Sequence, residues 1–185
     1  MPTWKPNYDP AHLYFVTITA VNRAMLFKRT LVRRLLVDVL DTMRLLHKLD
    51  LYAFVIMPNH MHFIVRCTPD YTVGDLMRDY KSNAANRIVW QYQAEGNDRV
   101  LKFLREAVLR PEKQRYKVWD DEYNAKDVFT PEFLCEKLDY THNNPVQPHW
   151  QLVERPEDYI WSSARFYFLG EPALIPLRDA RELLV

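Results

Sequence analysis

Met57-Pro58-Asn59-His60-Met61-His62-Phe63-Ile64-Val65 is the stretch on which the fold turns. Phe63, Ile64 and Val65 are strong β-formers, so the run reads as a strand entered through a turn at Pro58 and Asn59. Side chains alternate across a strand, so His60 and His62 share one face while Met61 and Phe63 take the other. A second apolar run, Leu51 to Met57, lies directly upstream, and the two segments, roughly 51–57 and 60–67, pair as a hairpin in the middle of a sheet. Two imidazoles on one face are placed to hold a metal ion; the plainer reading is two polar residues on a solvated face.

Working upstream, Tyr14-Phe15-Val16-Thr17-Ile18-Thr19-Ala20-Val21 is a first strand, with Thr17 and Thr19 on one face. Thr30 caps a helix running to about Lys48, in which Leu31, Leu35, Val39 and Thr42 follow helical spacing, as do Leu36, Leu40 and Met43. Downstream, a second helix runs from about Val73 to Tyr92 on a stripe of Leu76, Tyr80, Ala84 and Ile88. Residues 94–116 form a charged insertion with a short helix at Val100 to Leu109, and Tyr116-Lys117-Val118-Trp119 reads as a fourth strand. Thr130 as N-cap and Pro131 at the first helical position start a third helix, which ends near Asn144 because Pro145 follows. Residues 1–13, with three prolines, read as an extended arm, and 146–185 as an irregular tail with short helices.

The order β-α-β-β-α-β followed by a helix predicts an α+β fold of ferredoxin-like (RRM-like) type. Its antiparallel sheet would carry two helices on one face and leave the other open to a substrate. At 185 residues, 48% hydrophobic and 26% charged, the chain fits a single domain spanning 1–185 with a real core. Cys67 and Cys135 are the only cysteines, too few for a disulfide framework or a cysteine-rich zinc site. No signal-peptide pattern and no membrane span are evident, so the expectation is a cytoplasmic protein without a membrane partner. Three glycines leave no glycine-rich phosphate loop. The net charge is only +1, but Arg99, Lys102, Arg105, Arg110, Lys113, Arg115 and Lys117 outnumber Glu106 and Glu112 within one segment. Such a cluster is either a solvated face or a phosphate-contacting one.

On the third helix, Tyr140 and Asn144 stand four apart and share a face. A phenol can act as a nucleophile, and an amide oxygen can be a hard metal ligand. The plainer reading makes Tyr140 a half-buried packing residue and Asn144 a C-cap. His142 points to another side of that helix and suits a local hydrogen bond; His12, His47 and His149 read as surface.

The chain resembles the single-tyrosine HUH transposases, and among them the REP-associated tyrosine transposases. The resemblance rests on Tyr14-Phe15-Val16-Thr17, Met57-Pro58-Asn59-His60-Met61-His62, Val118-Trp119-Asp120, Leu138-Asp139-Tyr140-Thr141-His142-Asn143-Asn144-Pro145-Val146 and Pro156-Glu157-Asp158-Tyr159-Ile160-Trp161-Ser162-Ser163-Ala164, in that order. It implies that Tyr140 is the nucleophile and that His60, His62 and Asn144 hold Mg²⁺ or Mn²⁺. It further implies a substrate of single-stranded DNA with hairpin structure, a 5′-phosphotyrosine intermediate, and a monomer or homodimer. Arg23, Arg78, Lys81 and Arg87 are candidate phosphate contacts, and Tyr159 or Trp161 could stack on a base. The competing readings are a replication-initiator or relaxase-type nickase, a non-catalytic domesticated module that binds single-stranded nucleic acid, and a metal-dependent hydrolase that uses activated water.

Overall fold

The computed structural model describes residues 8–46 and 48–184; most of the expected extended arm, His47 and Val185 lie outside the described residues. Leu13–Thr19 forms β1, Thr30–Leu45 α1, Leu49–Ile56 β2, His60–Cys67 β3, Val73–Ala94 α2, Asp98–Glu106 α3, Asn124–Val128 β4, Pro131–Asn143 α4 and Ala164–Leu169 α5. Short 3₁₀ turns link several of them. The four strands make one antiparallel sheet in the order β2-β3-β1-β4, which is the ferredoxin-like arrangement.

Alternation along β1 and β3 decides what each sheet face buries. Tyr14, Val16 and Ile18 of β1 and Met61, Phe63 and Val65 of β3 meet Leu36, Leu40 and Met43 of α1 and Leu76, Tyr80, Ala84 and Ile88 of α2. Tyr80 is fully buried there, and its hydroxyl donates to the Leu36 carbonyl at 3.0 Å. On the opposite face Leu13, Phe15, Ala53, Ile64 and Val128 meet Leu134 and Leu138 of α4. The face expected to stay open is therefore partly roofed by α4. Burying each of these leucines contributes about 1.5–3 kcal/mol.

Helix starts follow local chemistry. Thr72 and Asp75 form a reciprocal capping box at α2, and Thr130 Oγ1 accepts from the Phe133 N–H at 3.2 Å ahead of Pro131. Thr30, read as a cap, is instead the first residue of α1; Arg29 precedes it without a side-chain cap and pairs with Glu95 at 2.7 Å.

The expected fourth strand is corrected. Tyr116 to Trp119 contributes one isolated bridge, Ala20 to Trp119, while the true β4 lies at Asn124–Val128. The reason is packing: Val118 and Trp119 are buried, with the Trp119 ring 5.1 Å from Phe27 and 6.2 Å from Tyr80. Their apolar side chains fill the core instead of laying out a ladder. The real strand is a mostly exposed edge, polar enough to escape a hydrophobic pattern. At the other edge the tail covers β2, with the Ser163 N–H on the Phe54 carbonyl at 2.9 Å and the Arg178 N–H on the Leu51 carbonyl at 2.8 Å.

His12 is not a solitary surface residue: its Nδ1 lies 2.8 Å from Asp127 Oδ2 of β4. That hydrogen bond raises the imidazole above its ordinary pKa. A proton NMR titration should place His12 above 6.5, and Asp127→Asn should bring it back down. With its folded pKa raised, the pair adds stability below the unfolded value and loses it as pH climbs through the folded one.

Candidate active site

The β1–β3 register sets Thr17 opposite His62 and Thr19 opposite His60, on the sheet face that α4 partly covers. Thr17 Oγ1 lies 2.8 Å from His62 Nδ1. Asn59 Nδ2 donates to the Arg23 carbonyl at 3.1 Å, which turns Asn59 Oδ1 toward His60, where it accepts from Nδ1 at 2.7 Å. Both imidazoles thus have Nδ1 engaged, and their ring centres are 4.8 Å apart. This is the pattern in which an outer hydrogen bond orients a histidine toward a metal.

From α4, Tyr140 comes edge-on to His62 at 5.2 Å between ring centres and edge-on to Phe15 at 5.9 Å, while Phe15 stacks on His62 at 5.2 Å. Tyr140 remains 47% exposed, open to a large substrate. Asn144, one turn on, is buried beside His60. Two buried polar atoms here have no hydrogen-bond partner: His62 Nε2 and Asn144 Oδ1. A lone pair on nitrogen and one on an amide oxygen, both orphaned at one place, cost about 1–3 kcal/mol each unless something binds them. Among the described residues no three His, Cys, Asp or Glu side chains gather in a metal-holding group. A neutral imidazole nitrogen is a common metal ligand, and an amide oxygen is a hard donor of the kind Mg²⁺ and Mn²⁺ take.

Burial holds both imidazoles neutral. His60 is pushed down to about 4, first by desolvation and then by Arg23, against a smaller upward pull from Asn144. His62 falls to about 3, by desolvation, then by His60 and Lys137. Neutral imidazole is the form that donates a lone pair to a cation.

Lys137 escaped the sequence reading. It is buried on α4 with its ammonium 5.6 Å from the centre of the Tyr140 ring, 5.4 Å from that of Phe15 and 4.8 Å from that of Phe133, and it pairs with Glu136 at 2.7 Å. The available signal was its position three residues before Tyr140 on one helix. Trp150, from the tail, also reaches the site, 5.8 Å from the His60 ring.

The other sequence candidates separate. Arg23 sits in the turn after β1, close enough to bear on His60. Arg78 is held by Asp75 at 2.6 Å and Asp79 at 3.0 Å, and Arg87 is exposed; both belong to α2, whose buried stripe packs on the opposite sheet face. The structure does not bring those two to the histidines. Lys81 donates to the carbonyls of Asp120 and Asp121 at 2.6 and 3.1 Å. His142 does not make the local bond expected of it: its Nε2 lies 2.8 Å from Oγ of Ser163, 21 residues on, and so ties α4 to the tail. Tyr159 and Trp161 are core residues under Arg33, not free stacking platforms.

If the paired Nε2 atoms matter, the hydroxyl behind one of them should matter too. Thr17→Val keeps the shape and removes the hydrogen bond to His62. It should weaken Mn²⁺ binding about 10–100-fold, read by calorimetry, with little change in fold.

The family model described as "Transposase IS200 like" matches residues 10–129, a span that includes His60 and His62 and stops before Tyr140. Among solved structures, a REP-associated tyrosine transposase bound to a REP hairpin superposes with a TM-score of 0.63 at 19% identity, covering 97% of this chain and 93% of that one. A presumed transposase from Deinococcus radiodurans R1 superposes with a TM-score of 0.47 at 17% identity, covering 77% and 97%. No curated protein matches the chain by sequence. The first structural likeness, at so low an identity, is one of fold.

Proposed function

Because this chain belongs to the family of IS200-like transposases, we propose that it cuts and rejoins single-stranded DNA at hairpins through a covalent tyrosine link. The Tyr140 oxygen attacks the scissile phosphorus. A P–O bond to the phenol forms, the P–O bond to the 3′-oxygen breaks, the phenolic proton passes to solvent, and the 3′-oxygen leaves as a hydroxyl. The product is a 5′-phosphotyrosine that retains the phosphodiester's energy. A second 3′-hydroxyl reverses the step and joins new ends, so no ATP is required.

The observation that carries this reading is the meeting of Tyr140 with His62, together with two orphaned donors, His62 Nε2 and Asn144 Oδ1. His60, His62 and Asn144 would hold Mg²⁺ or Mn²⁺, which would supply Lewis-acid polarisation of the scissile phosphate and of the leaving oxygen. Thr17 and Asn59 keep the imidazoles aimed, and burial keeps them unprotonated. Lys137 sets a positive charge against the face of the phenol ring. Arg23, at the edge of the site, suits a DNA phosphate. Hairpin DNA as the substrate draws support from the REP-hairpin-bound protein of the same fold.

The test is to incubate the protein with end-labelled single-stranded hairpin DNA and Mn²⁺ and to run a denaturing gel. A protein–DNA band that disappears with chelator supports the proposal. Cleaved DNA with no covalent band would point to hydrolysis by activated water, and binding without cleavage to a domesticated binding module.

A further inference from the structure

The basic insertion after α2 lies far from Tyr140 in sequence and takes no part in the chemistry above, yet it builds one wall of a groove. The groove holds about 760 Å³ and runs between α2 and residues 113–121. Its floor is Val89 of α2 and the buried Trp119. Two further aromatic rings line it, Trp90 from α2 and Tyr116 from the insertion. Trp90 is 66% exposed, an unusual place to leave so large an apolar ring. Lys113 and Arg115 at the rim are exposed, and Arg115 and Arg105 lie 5.4 and 5.6 Å from the centre of the Tyr116 ring.

The groove also contains two acidic residues: Asp121 pairs with Lys117 at 2.7 Å, and Asp120 accepts from the Asn22 N–H at 3.1 Å. Beside them stand aromatic surface, the side-chain amides of Asn86, Gln93 and Gln114, and the cations of Lys113 and Arg115. That combination fits a single nucleic-acid strand, whose bases stack and whose phosphates need positive charge.

A second cavity, of about 530 Å³, adjoins this groove and shares Lys117, Asp120 and Asp121 with it; Thr17 and Thr19, the β1 residues opposite His62 and His60, line it together with Glu122, Tyr123 and Asn124.

We propose that the groove between α2 and residues 113–121 docks a single-stranded stretch of DNA flanking the cleavage point, with a base stacked on Trp90 and phosphates against Lys113 and Arg115. The proposal rests on the reading of single-stranded DNA as substrate and adds to it a specific binding surface. Fluorescence anisotropy without metal tests it, using the full chain and labelled hairpin oligonucleotides, bare or extended in turn by a short single strand on the 5′ or 3′ side. The wild type should bind one extended form more tightly than the bare hairpin. Trp90→Ala should weaken binding of that form about 5–150-fold. Lys113→Gln with Arg115→Gln should lower its salt dependence by about 1.4 in the log–log slope, about 0.7 for each phosphate no longer neutralised. Trp90 is exposed, so an unchanged thermal midpoint would show that the variant is folded.

Equal affinity for bare and extended hairpins, or variants that bind the extended form as the wild type does, would overturn the groove. A change in sedimentation on Trp90→Ala without any change in DNA binding would also overturn it, by making the surface an interface between copies. The two readings fail separately. An adduct formed by the wild type with Trp90→Ala binding unaltered sinks the groove alone. Groove-dependent binding with no adduct sinks the covalent chemistry alone.

Discussion

Tyr140→Phe is expected to lose the covalent protein–DNA band entirely, a fall of about four orders of magnitude or more, while still binding hairpin DNA. Phenylalanine has no oxygen to bond to phosphorus. It does keep the ring, and the ring carries the packing around it: the edge contacts to His62 and Phe15 and the face presented to Lys137. At 47% exposure the missing hydroxyl should change stability by no more than about 0.5 kcal/mol. The measurement is the denaturing gel with Mn²⁺, paired with a thermal melt and a binding titration. A phenylalanine variant that still traps DNA covalently would place the nucleophile on another residue and dismantle the proposed reaction.

Acidification should destabilise the protein steeply from about pH 6.5 downward. Three imidazoles are held neutral, His62 and His142 buried and His60 half-buried: His60 at about 4, His62 at about 3 and His142 at about 4, each displaced first by desolvation. In the unfolded chain they would titrate near 6.5. Below that pH the unfolded state takes up protons that the folded state refuses, so stability is full above the unfolded value and drains away as pH falls toward the folded ones. Each group can cost up to about 2 kcal/mol by pH 5, from about 1.4 kcal/mol per pH unit. Melting temperatures between pH 7.5 and 4.5 would reveal the slope, and a flat profile would contradict the burial described. Mn²⁺ at neutral pH should raise the midpoint and lose that effect in acid, because protons and the cation compete for the same nitrogens.

Much of the fold could be read from pattern alone, and the reasons lie in particular residues. His60 to Phe63 alternates and the apolar run Phe63 to Val65 marks a strand, so the placement of both histidines on one face followed directly from strand geometry. The apolar stripes of α1 and α2 and the Thr130-Pro131 start of α4 are equally local signals. Asn124–Val128 was not readable, because an edge strand that is mostly exposed carries no hydrophobic code, while Val118 and Trp119 carry that code and spend it on the core. The site divides the same way. Residue type and spacing pick out His60, His62, Tyr140 and Asn144, but that α4 folds back over β1 and β3 depends on Phe15, Ile64, Leu134 and Leu138 meeting across long stretches of chain. Trp150 enters only through the tertiary placement of the tail, whereas Lys137 had a local signal in its position three residues before Tyr140. The fate of Arg78, neutralised by Asp75 and Asp79 within its own helix, was written in the i, i+3 spacing of Asp75.

The docking of α4 reaches into inheritance. The helix lies on its own chain's sheet, fixed by Leu134 and Leu138 and by His142 bonded to Ser163, which in turn accepts from the Phe54 N–H at 3.0 Å. On this docking one chain supplies both the phenol and the imidazoles. Two defective alleles, one encoding Tyr140→Phe and the other His62→Ala, should fail to rescue each other when co-expressed in one cell, and neither should poison a healthy copy.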